Sequence, residues 1–358
     1  MTGLHVTGRD PATGDRVDLW AVDGRFVDGP VLDATELTGF VLPGFVDAHC
    51  HVGYSSTGAA TLDEAEQQAR TNLDAGALAL RDCGSPLDTR SLVGRDDLPI
   101  LIRAGRHIAR TKRYIRELGV DLADAAELPA EVARQLEYGD GWIKIVGDWI
   151  DRSTGDLAPL WPDDILAEAV AVAHAGGARV TTHVFGEDAL PGLLAAGVDC
   201  IEHGTGLTDG TIAIAAGRGV HLVPTVINIA NFPSFAAAAG RFPTYAKHML
   251  NLHRRNPQMI RDAVDAGIDV HAGTDAGGFV EHGRVAEEVL AIGELIGARP
   301  AIFAASHAAR DWLGLPSYDP GEAADLVIYA EDPVADLAAL AHPSAVVRAG
   351  RLARGSTG

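Results

Sequence analysis

The sequence predicts an α/β protein built on a (β/α)8 barrel of the TIM type, with a small composite β-sandwich formed by both termini. Short apolar runs ending in polar residues alternate with Ala-rich amphipathic stretches from about residue 41 to about residue 314. Eight such runs are present, the number that closes a barrel rather than an open doubly wound sheet. The two ends read differently, as short alternating strands separated by tight-turn signals.

Taken in order, the strand candidates are 41–49, 77–82, 100–104, 142–146, 179–183, 199–203, 221–225 and 269–275. Between them, 62–74, 165–174 and 285–296 carry helical periodicity. The longest departure from barrel spacing is 228–259, which reads as a lid or specificity loop and contains Phe232, Phe235, Phe242, Tyr245, His248 and His253. At the ends, 17–27, 324–329 and 345–352 read as strands, with Asp23-Gly24 and Ala349-Gly350 at the turns. The expected domains are therefore 1–40 together with 320–358 as the sandwich, and 41–319 as the barrel.

Composition narrows the function classes. Lys plus Arg total 29 against 49 Asp plus Glu in 358 residues, a net charge of −20 that would repel nucleic acid and anionic membranes. Cys50, Cys83 and Cys200 are an odd number of widely spaced cysteines, unlike a disulfide framework, and point to a reducing compartment. The first fifteen residues include Arg9, Asp10 and Asp15 without a long apolar run, so the expectation is a cytoplasmic protein. Only three of the 29 basic side chains are lysine: Lys112, Lys144 and Lys247.

Metal-binding residue types recur at the C-terminal ends of the predicted strands, where barrel enzymes carry their active sites. In Asp47-Ala48-His49-Cys50-His51, the two histidines lie two apart on an extended segment. Their imidazoles therefore share a face and can grip one ion, while Cys50 points away. His183 ends the fifth strand, His203 the sixth and Asp275 the eighth. A lone histidine on an apolar strand is usually a packed core residue, but four histidines and an aspartate at one rim are not explained that way. Lys144 lies inside Trp142-Ile143-Lys144-Ile145-Val146, where desolvating an ammonium is costly. A lysine so placed is a nucleophile, a Schiff-base former or a carbamate, or else it snorkels to a carboxylate at the rim.

These residues resemble the metal-dependent amidohydrolase superfamily, and the resemblance covers nearly the whole chain. Residues 42–51, Leu-Pro-Gly-Phe-Val-Asp-Ala-His-Cys-His, look like its first-strand signature, and Gly273-Thr274-Asp275-Ala276 looks like its eighth. Residues 321–327 are similar to the returning strand of its composite sandwich. The resemblance implies two divalent metal ions, zinc first with manganese or iron as alternatives. His49 and His51 would bind the more buried ion, His183 and His203 the second, and Lys144, as a carbamate formed with CO2, would bridge them. Asp275 would ligate the buried ion and act as general base and then general acid. The resemblance also implies a homo-oligomer. The similar branch contains imidazolonepropionase relatives and dipeptidases of the prolidase type, with Val223-Pro224-Thr225 ending strand seven.

Two departures bear on the substrate. Where relatives carry a glycine-rich stretch after strand three, this chain reads Arg106-His107-Ile108-Ala109-Arg110-Thr111-Lys112-Arg113-Tyr114. Residues 103–116 hold six Lys or Arg and no Asp or Glu, a basic island that would attract a carboxylate if it faces the pocket, or is otherwise a solvated loop or subunit contact. Asn228 and Ile229 stand where dipeptidase relatives place a tyrosine. Arg113, Tyr114, His282 and Asn228 are the candidate substrate contacts.

The expected activity is hydrolysis of an amide or other C–N bond in a small substrate, one with a free carboxylate if the basic island faces the pocket, such as an N-acyl amino acid, dipeptide or cyclic amide. Two ions about 3.5–4 Å apart would hold a bridging hydroxide and polarise the carbonyl it attacks. Asp275 would carry the proton to the leaving nitrogen. The alternatives are a mononuclear deaminase or ring-opening enzyme acting on a cyclic amidine or imidazolone, and a barrel that binds metal or ligand without turnover.

Overall fold

A computed structural model of the chain describes residues 3–355. Residues 1–2 and 356–358, the outermost part of the expected terminal domain, lie outside the described residues. The architecture is mixed α/β, with a three-stranded and a six-stranded sheet carrying the middle of the chain and a seven-stranded sheet made from both ends.

The first expected strand is two strands. Thr35–Leu42 belongs to the terminal sheet and Phe45–Cys50 to the three-stranded parallel sheet. The break falls at Pro43-Gly44, where Pro43 has no N–H to give a ladder and Gly44 takes φ +88°. A Cβ at Gly44 would also sit 2.4 Å from Leu78 Cδ1, so the first two parallel strands approach closely only through a glycine.

Phe45–Cys50, Ala77–Asp82 and Ile100–Arg103 pair in parallel. Trp142–Val146, Arg179–Val184, Cys200–His203 and His221–Val223 follow in sequence order in the six-stranded sheet. Phe45–Cys50, Ala77–Asp82, Trp142–Val146, Arg179–Val184 and Cys200–His203 are buried along their whole length or nearly so, as expected of strands covered on both faces. The eighth expected strand, 269–275, is not a regular strand. It touches its neighbours through single bridges, Leu222 with Val270 and Cys50 with Ala276. His271 N donates to Leu222 O on one side, while Ala48 N donates to Ala272 O and Asp275 N to His49 O on the other. Asp275 at φ +57° and Gly277 at φ +126° interrupt the ladder just where the segment turns over the site.

The sequence reading did not anticipate two short strands, Ile108–Arg110 and Val120–Leu122, which edge the six-stranded sheet from within and beyond the basic island. The helices fall close to expectation: Leu62–Asp74, capped by a reciprocal Thr61/Glu64 box, Asp163–Ala175 and Val285–Ile296. The 228–259 insertion is helical, as Val226–Ile229, Phe232–Ala238 and Pro243–Asp265.

The ends form one mixed sheet in the order 351–354, 345–348, 326–329, 35–42, 3–9, 16–22, 25–27, rather than two separately assigned layers. Its hairpins turn at Asp23-Gly24 and Ala349-Gly350, all four residues with positive φ, as primed two-residue turns require. Among the described residues, no helix is long and apolar enough to cross a membrane.

Candidate active site

Two of the site's strand-end residues, and the segment that closes over it, depart from extended geometry. His203, Thr225 and Asp275 have φ of +67°, +46° and +57°, a left-handed conformation costly for side chains of this size. His203 Nδ1 lies 2.7 Å from Thr225 Oγ1, so the two strained residues orient one another.

The sequence-predicted ligands come together. His49 Nε2 and His51 Nε2 lie 3.2 and 3.0 Å from the same Asp275 oxygen, Oδ1. His183 Nδ1 and His203 Nε2 face each other at 3.0 Å. The ring centroids of His49 and His203 are 5.2 Å apart, and those of His183 and His203 4.7 Å. Lys144 is buried, and its Nζ has no hydrogen-bond partner. Its strand pairs with the one that carries His183, Lys144 opposite Thr181 and Val146 opposite His183.

The protonation states suit ligation. Burial, reinforced by Lys144, lowers His49 to about 4, and burial brings His203 to about 3. His183 is held well below its ordinary value by burial and then by His203. For His51, burial is outweighed by the Asp275 carboxylate, which raises its pKa. Burial opposes ionisation of Asp275, but His49, His51 and His203 together hold its carboxyl far below the usual range. Three imidazoles held neutral, a fourth paired with an ionised carboxylate, and a partnerless buried amine make a donor set that fits divalent ions, with the amine free to become an oxygen donor.

Several of these side chains are braced from behind. His51 Nδ1 donates to Gly84 O at 2.8 Å, which leaves Nε2, on the Asp275 side of the ring, as the nitrogen that would meet an ion. His49 Nδ1 sits 2.8 Å from Glu202 Oε2, although not aligned for a hydrogen bond. Glu202 accepts from Arg81 Nη2 at 2.6 Å and from Thr181 Oγ1. The Arg81 guanidinium is stacked near Trp142 and Trp312, at 4.6 and 4.8 Å, and its Nε donates to Ala48 O. Asp47 takes Thr274 Oγ1 at 2.6 Å and Thr274 N at 3.0 Å, pinning the first strand to the segment that carries Asp275. Glu288 accepts from Val226 N and Ile227 N at 2.8 and 2.9 Å, and so holds the short helix whose Asn228 Nδ2 donates to Asp275 Oδ2 at 2.7 Å.

A cavity of about 310 Å³ opens above these residues and reaches His51, His183 and Asp275. Of the four candidate substrate contacts, Tyr114 and Asn228 line it. The other two do not. Arg113 is bonded to Asp151 Oδ2 and to the carbonyls of Trp149 and Ala158, on the 148–159 hairpin. His282 faces a separate cleft, with Nδ1 2.9 Å from Asn72 Nδ2.

Sequence reasoning missed Arg81, Glu202, Thr225 and Glu288. A signal for the first two was present, since the desolvation argument that singled out Lys144 applies equally to a lone arginine in Ala77–Asp82 and a glutamate in Cys200–His203.

The profile of the Amidohydrolase family matches residues 40–353. The chain belongs to the amidohydrolase family. It is 55% identical over 351 residues to a Mycobacterium tuberculosis protein described as uncharacterized, covering 97% of this chain and 95% of the relative. Among solved structures, a Xaa-Pro dipeptidase with methionine bound in its active site superposes with a TM-score of 0.81 at 22% identity, over 98% of this chain and 99% of that one. Ochratoxinase of A. niger gives 0.80 at 18% identity, over 99% and 96%. At such identities the likeness establishes the shared fold.

Proposed function

We propose that this amidohydrolase cleaves an amide or other C–N bond of a small molecule at a two-metal centre held by His49, His51, Lys144 carbamate, His183, His203 and Asp275. The observation that carries this reading is the buried, partnerless Lys144 Nζ on the strand next to that of His183, together with a carboxylate on which His49 and His51 converge. Carbamylation would turn that amine into an anionic oxygen donor and relieve the cost of leaving it unpaired.

Two divalent ions bound here would supply a water of near-neutral pKa and polarise the scissile carbonyl. Asp275 Oδ1 points between His49 and His51 and can accept the attacking water's proton. The same carboxyl then hands the proton to the departing nitrogen, while Asn228 fixes its other oxygen. Tyr114, packed 5.3 Å from the His183 ring, stands over the reacting centre and shields it from bulk water. Burial keeps its phenol far above its ordinary pKa, so it acts as a neutral hydrogen-bond donor.

We further infer that the parallel strands and segment 269–276 close as an eight-membered barrel over 41–319, with 1–40 and 320–358 as the sandwich. The backbone bonds from 269–276 to both Phe45–Cys50 and His221–Val223 support this.

The test is metal content per chain, measured on protein purified with bicarbonate and without chelator, for wild type and Lys144→Ala in parallel. About two ions falling to one or none supports the bridged pair. About one ion, unchanged by the substitution and with full rate retained, overturns it in favour of mononuclear deamination.

A further inference from the structure

The cavity over the site is a cage of rings. Tyr114 and Trp149 lie 4.8 Å apart, Trp149 and Phe185 6.3 Å, and Phe235 and Phe279 close the mouth at 4.6 Å. Phe279 is 67% exposed, a large apolar side chain left in water at the rim of a pocket. An exposed ring there has an obvious partner in a ligand's apolar group. The mouth is built from two separate pieces of chain, Phe232–Ala238 of the insertion and the loop after Asp275.

Among the described residues, no Lys or Arg lines this cavity. The basic side chains of 103–116 do not face the cavity: Lys112 is exposed, and the five arginines are engaged elsewhere. Arg103 pairs with Asp140, Arg106 and Arg110 donate to the carbonyls of Gly119 and Ala123, and Arg116 lies beside Glu117. Arg113 holds the 148–159 hairpin. A substrate carboxylate against the aromatic wall would lose water and gain no cation.

We propose that the substrate is an uncharged amide carrying an aromatic or similarly broad apolar group, which stacks between the Trp149 and Phe279 sides of the cage, and that the enzyme does not read a free carboxylate. This rests on the hydrolase reading above. Water adds across the C–N bond: a C–O bond forms at the carbonyl carbon, the C–N bond breaks, and the nitrogen leaves with the proton taken from water. The products are a carboxylic acid and an amine.

A matched pair of probes separates this inference from the reading beneath it. N-phenylacetylanilide and N-phenylacetyl-4-aminobenzoate share every atom except one ring carboxylate. Binding to the full-length, metal-loaded enzyme is measured by calorimetry, and hydrolysis by release of the arylamine. The anilide should bind, and show kcat/KM, at least about ten-fold better. Equal or better binding of the benzoate overturns the proposal, and so does the absence of binding by either. Preferential binding of the anilide with no turnover of either probe supports the pocket's selectivity and overturns the hydrolytic reading alone. Phe279→Arg, at an exposed position that leaves the core untouched, should shrink the preference by supplying the missing cation. An unchanged preference in that variant overturns the inference that the missing cation is what excludes a carboxylate.

Discussion

The floor and the roof of the site are built from opposite materials. The floor, at the strand ends, consists of buried ionisable groups in short contacts, with Arg81, Glu202, Asp47, Thr274 and Thr225 each holding a partner in one arrangement. The roof, gathered from the segment around Tyr114, the 148–159 hairpin, the helical insertion and the loop after Asp275, is aromatic, and Asn228 makes its bond to Asp275. Polar networks fix geometry because a misplaced buried donor is costly, whereas apolar rings can slide at little cost. Reaction type therefore belongs to the floor and substrate choice to the roof, and substitutions in the two should separate accordingly.

The largest effect should come from the floor. Asp275→Asn keeps the shape but removes the proton carrier, and kcat should fall by about 10²–10⁴-fold. A variant that retains wild-type kcat with metal bound would remove Asp275 from the mechanism. Glu202→Gln acts at one remove. It leaves the fully buried Arg81 without its carboxylate, which should destabilise the fold by about 3–5 kcal/mol in denaturant titrations. It should also weaken metal affinity by about 10–100-fold, because His49 loses its backing. Unchanged stability would mean that Arg81 is held mainly by its two tryptophans.

Between floor and roof, His248 ties Pro243–Asp265 to the rest of the protein through Glu187 at 2.7 Å and Asp156 at 2.9 Å, and Arg255 joins on Glu187. The Glu187 hydrogen bond, against some burial and with help from Asp156, raises His248 from 6.5 to about 9. The tie is thus at full strength below pH 6.5 and is lost as pH rises through about 9. Hydrogen-exchange protection factors in that helix, which divide out the base-catalysed rise in intrinsic rate, should fall over this range, and His248→Gln should remove that fall. A helix equally protected at both ends of the range would show that its apolar packing alone holds it. The smallest effect belongs to the roof: Phe279→Ala should leave stability within about 0.5 kcal/mol while raising KM for an aromatic amide. A fall in kcat at constant KM would assign Phe279 to the floor's work.

The floor was far more legible in the sequence than the roof. His49, His51, His183, His203 and Asp275 could be read because strand periodicity tells which side chains share a rim. Arg81 and Glu202 are 121 positions apart, and only the closing of strand upon strand makes them a pair. The strand Ile108–Arg110 was hidden inside a run of arginines whose charge dominated the reading. Arg113 shows the same limit from the other side, since its charge was evident while its direction, toward the 148–159 hairpin, depends on tertiary packing. The eighth segment kept its signature but lost its regular ladder, because a left-handed Asp275 cannot continue a strand.

The left-handed residues at His203, Thr225 and Asp275 also set how this protein answers selection for heat tolerance. Each holds conformational energy that a residue at ease in that region would release. Under the proposed mechanism the side chains at 203 and 275 are needed for metal binding and proton transfer, so those positions should stay fixed. Thr225 is the one that can drift, and asparagine, which tolerates the same backbone and can still meet His203 Nδ1, is the replacement a heat-selected library should enrich.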